Sequence, residues 1–195
     1  MEIKKIEKII LKIAIEIAKS GEGALFVIGE GINYERLLEQ KFKSFSVFDT
    51  GSRKLLKALG IIDGAVIIDN KGIVREYGVM IKKTRAFVGY GTRHAAAITA
   101  SKDKNIVILA SEEERKVKVF KGGKYIMQID ALQKNVEKKI SVISRILEST
   151  GVGAIGTIGV ITLIPKLGIT LIPGIIIFGG SYYAIKKIIK RASKK

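Results

Sequence analysis

Gly89-Tyr90-Gly91-Thr92-Arg93-His94-Ala95-Ala96-Ala97-Ile98 is the stretch on which the reading of the fold turns. The apolar run before it, Arg85-Ala86-Phe87-Val88, has the character of a strand, and the alanines after it are helix formers. A strand that passes through glycines into a helix is the local switch of an α/β fold. Such a switch leaves backbone N–H groups at the helix start without intrahelical partners, and these favour anions. Thr92 adds a hydroxyl and Arg93 a forked donor, both suited to phosphate oxygens, and the chain's single histidine, His94, adjoins them. The ligand implied is a nucleotide phosphate.

Toward the N-terminus, residues 1–19 place Ile3, Ile6, Ile10, Ile13 and Ile17 on one helical face and charged residues on the other. This predicts a helix packed on a sheet, with a membrane-surface helix as the alternative. Ser20-Gly21-Glu22-Gly23 ends it, and residues 24–28 read as a buried strand. The pattern then predicts a helix over 34–40, a short strand over 44–48, and a helix capped by Ser52 that runs to about 59. Residues 61–68 and 73–79 read as strands joined by the tight turn Asp69-Asn70-Lys71-Gly72. A buried strand is expected over 106–110, and a hairpin over 116–120 and 125–129 turns at Gly122-Gly123. Helices and strands interleave, so the fold class is α/β, a mixed central sheet flanked by helices over residues 1–135. An amphipathic helix across 136–149, with Ile140, Ile143 and Leu147 inward, is expected to link this domain to the C-terminal segment.

The chain has 195 residues, enough for one good core. Without cysteine it has no disulfide, no thiolate metal site and no thiol nucleophile. A formal charge of +17 and a pI near 10.0 point to polyanionic company: nucleotide phosphates, anionic lipid or nucleic acid. Nucleic acid is the weakest of these, because no helix-turn-helix, zinc-finger or aromatic RNA-binding signature is present. The character of the chain changes near residue 150. Residues 151–185 carry only Lys166 as a charge, are rich in Gly, Ile, Leu and Thr, and include Pro165 and Pro173. Six of the last ten residues are Lys or Arg. Glycine and proline at this density suit membrane spans, so residues 150–195 are expected to form a transmembrane segment with a basic tail. A hairpin turning near Pro165-Lys166 keeps the domain and the tail together in the cytoplasm. A single span over 167–185 would separate them, and a buried glycine-rich core helix or an oligomer contact is the non-membrane alternative.

Two further constellations stand at strand ends. Asp63-Gly64-Ala65 sets one acid before an apolar run, with a glycine that permits close approach to the backbone. Ser111-Glu112-Glu113-Glu114 follows a buried strand, where loops present functional groups. An acid, an anion-binding helix start and an acidic loop together are what metal-assisted phosphate chemistry requires.

In this order, Asp63-Gly64-Ala65, then Gly91-Thr92-Arg93-His94, then Ser111-Glu112-Glu113, the residues resemble the diadenylate cyclase domain, shared with the N-terminal part of the DNA-integrity-scanning protein. The resemblance extends upstream to residues 23–29 and covers roughly residues 5–130. It implies a nucleotidyltransferase that condenses two ATP molecules into cyclic di-AMP and two pyrophosphates with Mg²⁺ or Mn²⁺. It also implies that two subunits meet face to face, as a homodimer or within a higher oligomer. By match, Asp63 binds metal and helps deprotonate the attacking 3′-hydroxyl, and Gly64 and Ala65 let the nucleotide approach. Gly91, Thr92, Arg93 and His94 hold the phosphates, with Arg93 and His94 counted beside Asp63 as catalytic. Glu113 belongs to the ATP contacts.

One departure stands out. The family usually shows Arg-His-Arg, whereas this chain has Arg93-His94-Ala95. A lost guanidinium removes a charge-assisted contact of about 1.5–3 kcal/mol, for which Lys83, Arg85 and Lys102 are candidate substitutes. The alternative to a membrane-tethered cyclase is therefore a degenerate module at the membrane that binds or senses ATP or cyclic di-AMP without making it.

Overall fold

The computed structural model describes residues 2–37, 39, 42–82, 84, 91–151, 162–164, 168–171 and 176–177. The chain opens with α1 (Glu2–Ser20), then β1 (Ala24–Ile28), β2 (Tyr34–Arg36), β3 (Phe45–Ser46), α2 (Ser52–Ile61), β4 (Ala65–Ile68) and β5 (Ile73–Ile81). It continues through α3 (Thr92–Ala100), β6 (Ile106–Ser111), β7 (Lys116–Lys121), β8 (Lys124–Asp130), a 3-10 turn (Val136–Lys139) and α4 (Ile140–Ser149). Short strands β9 (Thr150–Gly151), β10 (Thr162–Ile164), β11 (Ile169–Leu171) and β12 (Ile176–Ile177) complete the described elements. Among the described residues, one sheet runs in the order β10-β11-β8-β7-β6-β1-β4-β5-β2, with β3 also paired to β5. Only β1 and β4 are parallel; every other pairing in this sheet is antiparallel, so the sheet is mixed as expected.

Strand alternation sorts the apolar side chains onto two faces. Ala24, Phe26 and Ile28 of β1, with Ile106 and Ile108 of β6, join the larger core against α1, α2 and α4. Leu25 and Val27 of β1, with Val107 and Leu109 of β6, face the single helix α3. Ile6, Ile10, Ile13 and Ile17 of α1 are fully buried, as the helical stripe predicts, while Ile3 at its start is exposed. The helix thus packs on the sheet, not on a membrane surface. α4 inserts Ile140, Ile143 and Leu147 into the same core, so the segment expected to act as a linker is packed within the domain.

Three local expectations need correction. Residues 34–36 form β2, not a helix, because Tyr34 and Arg36 pair with Ile81 and Val79 of β5 and complete that sheet edge. Pairing across the sheet overrides a weak local helical pattern. Ser52 is the first helical residue, not the cap: left-handed Gly51 is the cap, and the Ser52 hydroxyl donates 2.8 Å to the Val47 carbonyl. The strand expected over 61–68 begins only at Ala65, since Ile61 closes α2 and residues 62–64 bend. No helix among the described residues is long and apolar enough to cross a membrane. Within the expected transmembrane segment, β10 and β11 form an antiparallel pair, and β11 joins β8 with Ile169 fully buried against the core. The expected turn at Pro165-Lys166 and most of residues 152–195 lie outside the described residues.

Candidate functional site

The mixed sheet explains why motifs far apart in sequence meet. β1 and β4 are parallel and β6 is antiparallel to β1, so the starts of β1 and β4 lie at the same sheet edge as the end of β6. Gly23 precedes β1, Asp63-Gly64 precede β4, and Ser111-Glu112-Glu113 end and follow β6. The N-terminus of α3 comes to this edge with Thr92, Arg93 and His94. Gly91 stands at the helix cap with no side-chain capping bond, and a β-carbon there would meet open space. The His94 N–H bonds back to the Gly91 carbonyl at 3.0 Å, and the N–H groups of Thr92 and Arg93 stand ahead of the first intrahelical bonds.

Gly64 is required at its place. Its φ is +101°, and an added β-carbon would stand 2.7 Å from the backbone nitrogen of Val79. This glycine lets the chain turn tightly into β4 and sets Asp63 outward, 90% exposed, with its Oδ1 accepting from the Gly64 N–H at 3.1 Å. Arg93 Nη2 lies 3.6 Å from the same oxygen. Arg93 in turn passes over Gly23, where no side chain blocks it.

Asp63, Thr92 and Arg93 are shared by two adjoining recesses. One, of about 330 Å³, is walled mainly by Leu25, Leu37, Val79, Met80, Ile81 and Ala96. The other, of about 340 Å³, adds Gly91, His94, Ser111, Glu112 and Glu113. The first offers an apolar slot and the second a lining of donors and acids. A larger recess of about 580 Å³ lies on the α1 face and contains none of these residues. Ala65, the first residue of β4, is buried behind Gly64 and belongs to the core on the α3 side.

His94 is half-buried. Its Nε2 sits 2.8 Å from Lys118 Nζ on β7, and its ring meets Phe120 edge-on at 6.3 Å. Burial first, and then the Lys118 charge, push the His94 imidazole below its ordinary pKa, against the opposing pull of Glu114 and Glu113. Lys118 also bonds Glu114. Burial works to raise the Glu114 carboxyl, but the Lys118 hydrogen bond and charge, with help from Lys116, hold it below the usual carboxylate range.

The structure thus brings together Asp63, Gly64, Gly91, Thr92, Arg93, His94 and Glu113. Ala95 is only 5% exposed, so α3 brings no second cation to the cleft from that position. Of the substitutes considered, Lys83 and Arg85 lie outside the described residues, and Lys102 follows the opposite end of α3. Two residues at the site have roles that the sequence does not show, although Gly23 falls within the resemblance. Gly23 matters only because Arg93 crosses it, and Lys118 sits in the alternating run Lys116-Val117-Lys118-Val119-Phe120, which reads as an ordinary strand.

Among the described residues, no cluster of three acids or histidines could hold a metal by itself. Asp63 fits a different arrangement. Mg²⁺ is commonly held by one or two carboxylates together with substrate phosphates and water, and an exposed carboxylate beside a helix start can supply that share.

Comparison with known proteins agrees with the family resemblance. The family model described as DisA bacterial checkpoint controller nucleotide-binding (DAC) matches residues 13–125, more than half of the chain. The chain belongs to this family. A protein named diadenylate cyclase from Methanocaldococcus jannaschii is 33% identical over 142 residues, which cover 65% of this chain and 46% of that protein. Another of that name from Haloferax volcanii is 34% identical over 142 residues, covering 62% of this chain and 51% of that protein. The chain spans about half the length of the curated relatives it matches. A crystal structure of DacA from Staphylococcus aureus covers 73% of this chain and 93% of its own, with 21% identity and a TM-score of 0.48.

Proposed function

We propose that this chain is a diadenylate cyclase, condensing two ATP molecules into cyclic di-AMP and two pyrophosphates. The observation that carries this reading is the sharing of Asp63, Thr92 and Arg93 by an apolar and a polar recess. The relatives named diadenylate cyclase support the same reading. The apolar recess suits a purine base. The polar recess, with its helix start and guanidinium, suits a triphosphate. Asp63 stands between them.

In the reaction, the 3′-oxygen of one ATP forms a bond to the α-phosphorus of the other. The bond from that phosphorus to the pyrophosphate oxygen breaks, and the hydroxyl proton passes to Asp63. The same step repeated in the opposite sense closes the ring. Arg93, Thr92 and the α3 N–H groups hold the phosphates and offset charge that grows on their oxygens, so catalysis rests on positioning and electrostatics. One cleft holds one nucleotide, so two copies must face each other. The 90% exposure of Asp63 suits a carboxylate that receives a proton from a nucleotide held across such an interface. Mg²⁺ or Mn²⁺, held by Asp63 and the phosphates, would add neutralisation of phosphate charge.

The test is incubation of the full chain with ATP and Mn²⁺ and detection of cyclic di-AMP by mass spectrometry. Burial of Ala95 favours one second reading, a module that binds ATP without turning it over. Absence of product from a protein that binds ATP and dimerises would establish that second reading. Attachment to the cytoplasmic face of a membrane, through the apolar residues after 171 and the basic run from Lys186, belongs to the proposal as well. Co-sedimentation with anionic vesicles, abolished when that run is neutralised, tests it.

A further inference from the structure

Lys118 is a buried lysine whose ammonium reaches the one histidine of the chain. Its side chain is 6% exposed, and its neighbours are Glu114, His94 Nε2 at 2.8 Å, and the ring of Tyr125, whose centroid lies 6.0 Å from Nζ. Tyr125 stacks on Phe120 at 5.1 Å, and Phe120 meets His94 edge-on, so lysine, imidazole and two aromatic rings form one packed group beneath the start of α3. A buried ammonium is costly unless it is paired and hydrogen-bonded, and here it is both. An ammonium carries three donors and no acceptor. The imidazole nitrogen that faces it must therefore be the acceptor, and the proton of a neutral imidazole then resides on the other nitrogen.

We propose that Lys118 is a positioning residue for the nucleotide site: it holds His94 as the neutral imidazole with its proton on Nδ1. The inference rests on the cyclase reading only for the identity of the ligand. His94 lines the polar recess beside Thr92 and Arg93. Held in this way it meets a phosphate as a neutral N–H donor of fixed orientation, while the cation of the pair stays beneath it, tied to Glu114. Among the described residues, the charged groups that act on the ring include Lys118 from β7, and Glu113 and Glu114 from the loop before it. Both acids favour a second proton on the ring. Burial of the ring first, and then the Lys118 charge at Nε2, oppose that second proton.

Because His94 is the only histidine, nitrogen-15 NMR of the labelled full chain reads its two ring nitrogens without assignment by mutation. At neutral pH, Nδ1 is expected in the protonated range and Nε2 in the unprotonated range. Lys118→Met keeps most of the side chain and removes the donor, and the Glu114 carboxylate that it leaves is 40% exposed, so water and not the core receives that charge. In that variant the proton should move to Nε2, and the titration midpoint of the ring should rise. Lys118→Arg, which keeps a donor, should retain the Nδ1–H form. An Nε2–H or doubly protonated ring in the unmutated chain overturns the proposal, and that measurement needs no variant to fold.

A binding cycle with ATP completes the test. Lys118→Met should weaken ATP binding about tenfold in the unmutated background and have no effect in a His94→Ala background, because the lysine acts through the histidine. Equal loss in both backgrounds would overturn the positioning role. Failure of the unmutated chain to bind ATP would overturn the nucleotide reading instead, and the ring tautomer alone would then decide the role of Lys118.

Discussion

The guanidinium of Arg93 crosses Gly23 so closely that a β-carbon on the glycine would overlap Nη1. Residues 70 positions apart in sequence are thereby fitted to each other at the edge of the sheet where the candidate site lies. Gly23 is not in the left-handed region, so its backbone accepts alanine. The atom that must give way is the end of a flexible side chain, and the consequence falls on the site and not on the fold. Gly23→Ala should leave the melting temperature near its original value. It should weaken ATP binding by roughly ten- to a hundredfold, the worth of a charge-assisted contact of about 1.5–3 kcal/mol. Calorimetric titration with ATP, paired with thermal denaturation, checks both halves.

Gly64→Ala should behave in the opposite way. A positive φ of +101° and backbone atoms of Gly78 and Val79 within 2.9 Å leave no room for a β-carbon and nothing flexible to move. The left-handed backbone alone costs about 1–3 kcal/mol, and the clash adds to it. Denaturant unfolding should show the loss directly.

Asp63→Asn separates chemistry from stability. At 90% exposure, with one backbone N–H and Arg93 as neighbours, the side chain supports little of the fold. Stability should stay within about 0.5 kcal/mol of the original. Formation of cyclic di-AMP should fall by about a hundred- to ten-thousandfold, the range for loss of a general base. Undiminished product measured by mass spectrometry would remove Asp63 from the mechanism.

Stability should also carry the signature of His94. Burial and Lys118 lower its pKa in the fold from the ordinary 6.5. Below that value the unfolded chain binds a proton that the folded chain refuses, so stability falls as pH drops from 6.5 to the folded pKa, and the contribution then levels off. Asp69 and Glu114, held low despite their burial, and Glu137, held low by its hydrogen bond from Lys19, act at more acidic pH. Urea midpoints followed from neutral to mildly acidic pH should therefore slope in the original chain and lose that slope in His94→Gln.

The short strand β11 tests how far the domain core extends into the apolar C-terminal segment. Ile169 is fully buried in register with Ile129 of β8. Ile169→Ala should cost about 2–4 kcal/mol if this residue belongs to the domain core. An unchanged urea midpoint would remove Ile169 from the domain core.

Much of the fold is legible in local signals. The isoleucine stripe of α1, the all-apolar β1 and the turn at Asp69-Asn70-Lys71-Gly72 appear where periodicity and turn chemistry place them. β2 is not legible, because three residues at a sheet edge take their conformation from β5 rather than from their own propensity. Lys118 is not legible either. Alternation along β7 places it on the face away from α1, but whether that face meets water or α3 is not written into β7.

Local stretches of the chain dictate most of the order of elements and the chemistry present at their ends: an acid before a glycine, a helix start with hydroxyl and guanidinium, an acidic loop after a strand. These depend on backbone sterics and side-chain periodicity over a few residues, and so they survive without a partner. That the three ends share one edge is a property of the assembled sheet alone. It depends on β1 running parallel to β4 and antiparallel to β6, pairings selected by burial of both sheet faces at once. The passage of Arg93 over Gly23 and the placement of Lys118 beneath His94 come from the same burial, which no local stretch of the chain contains.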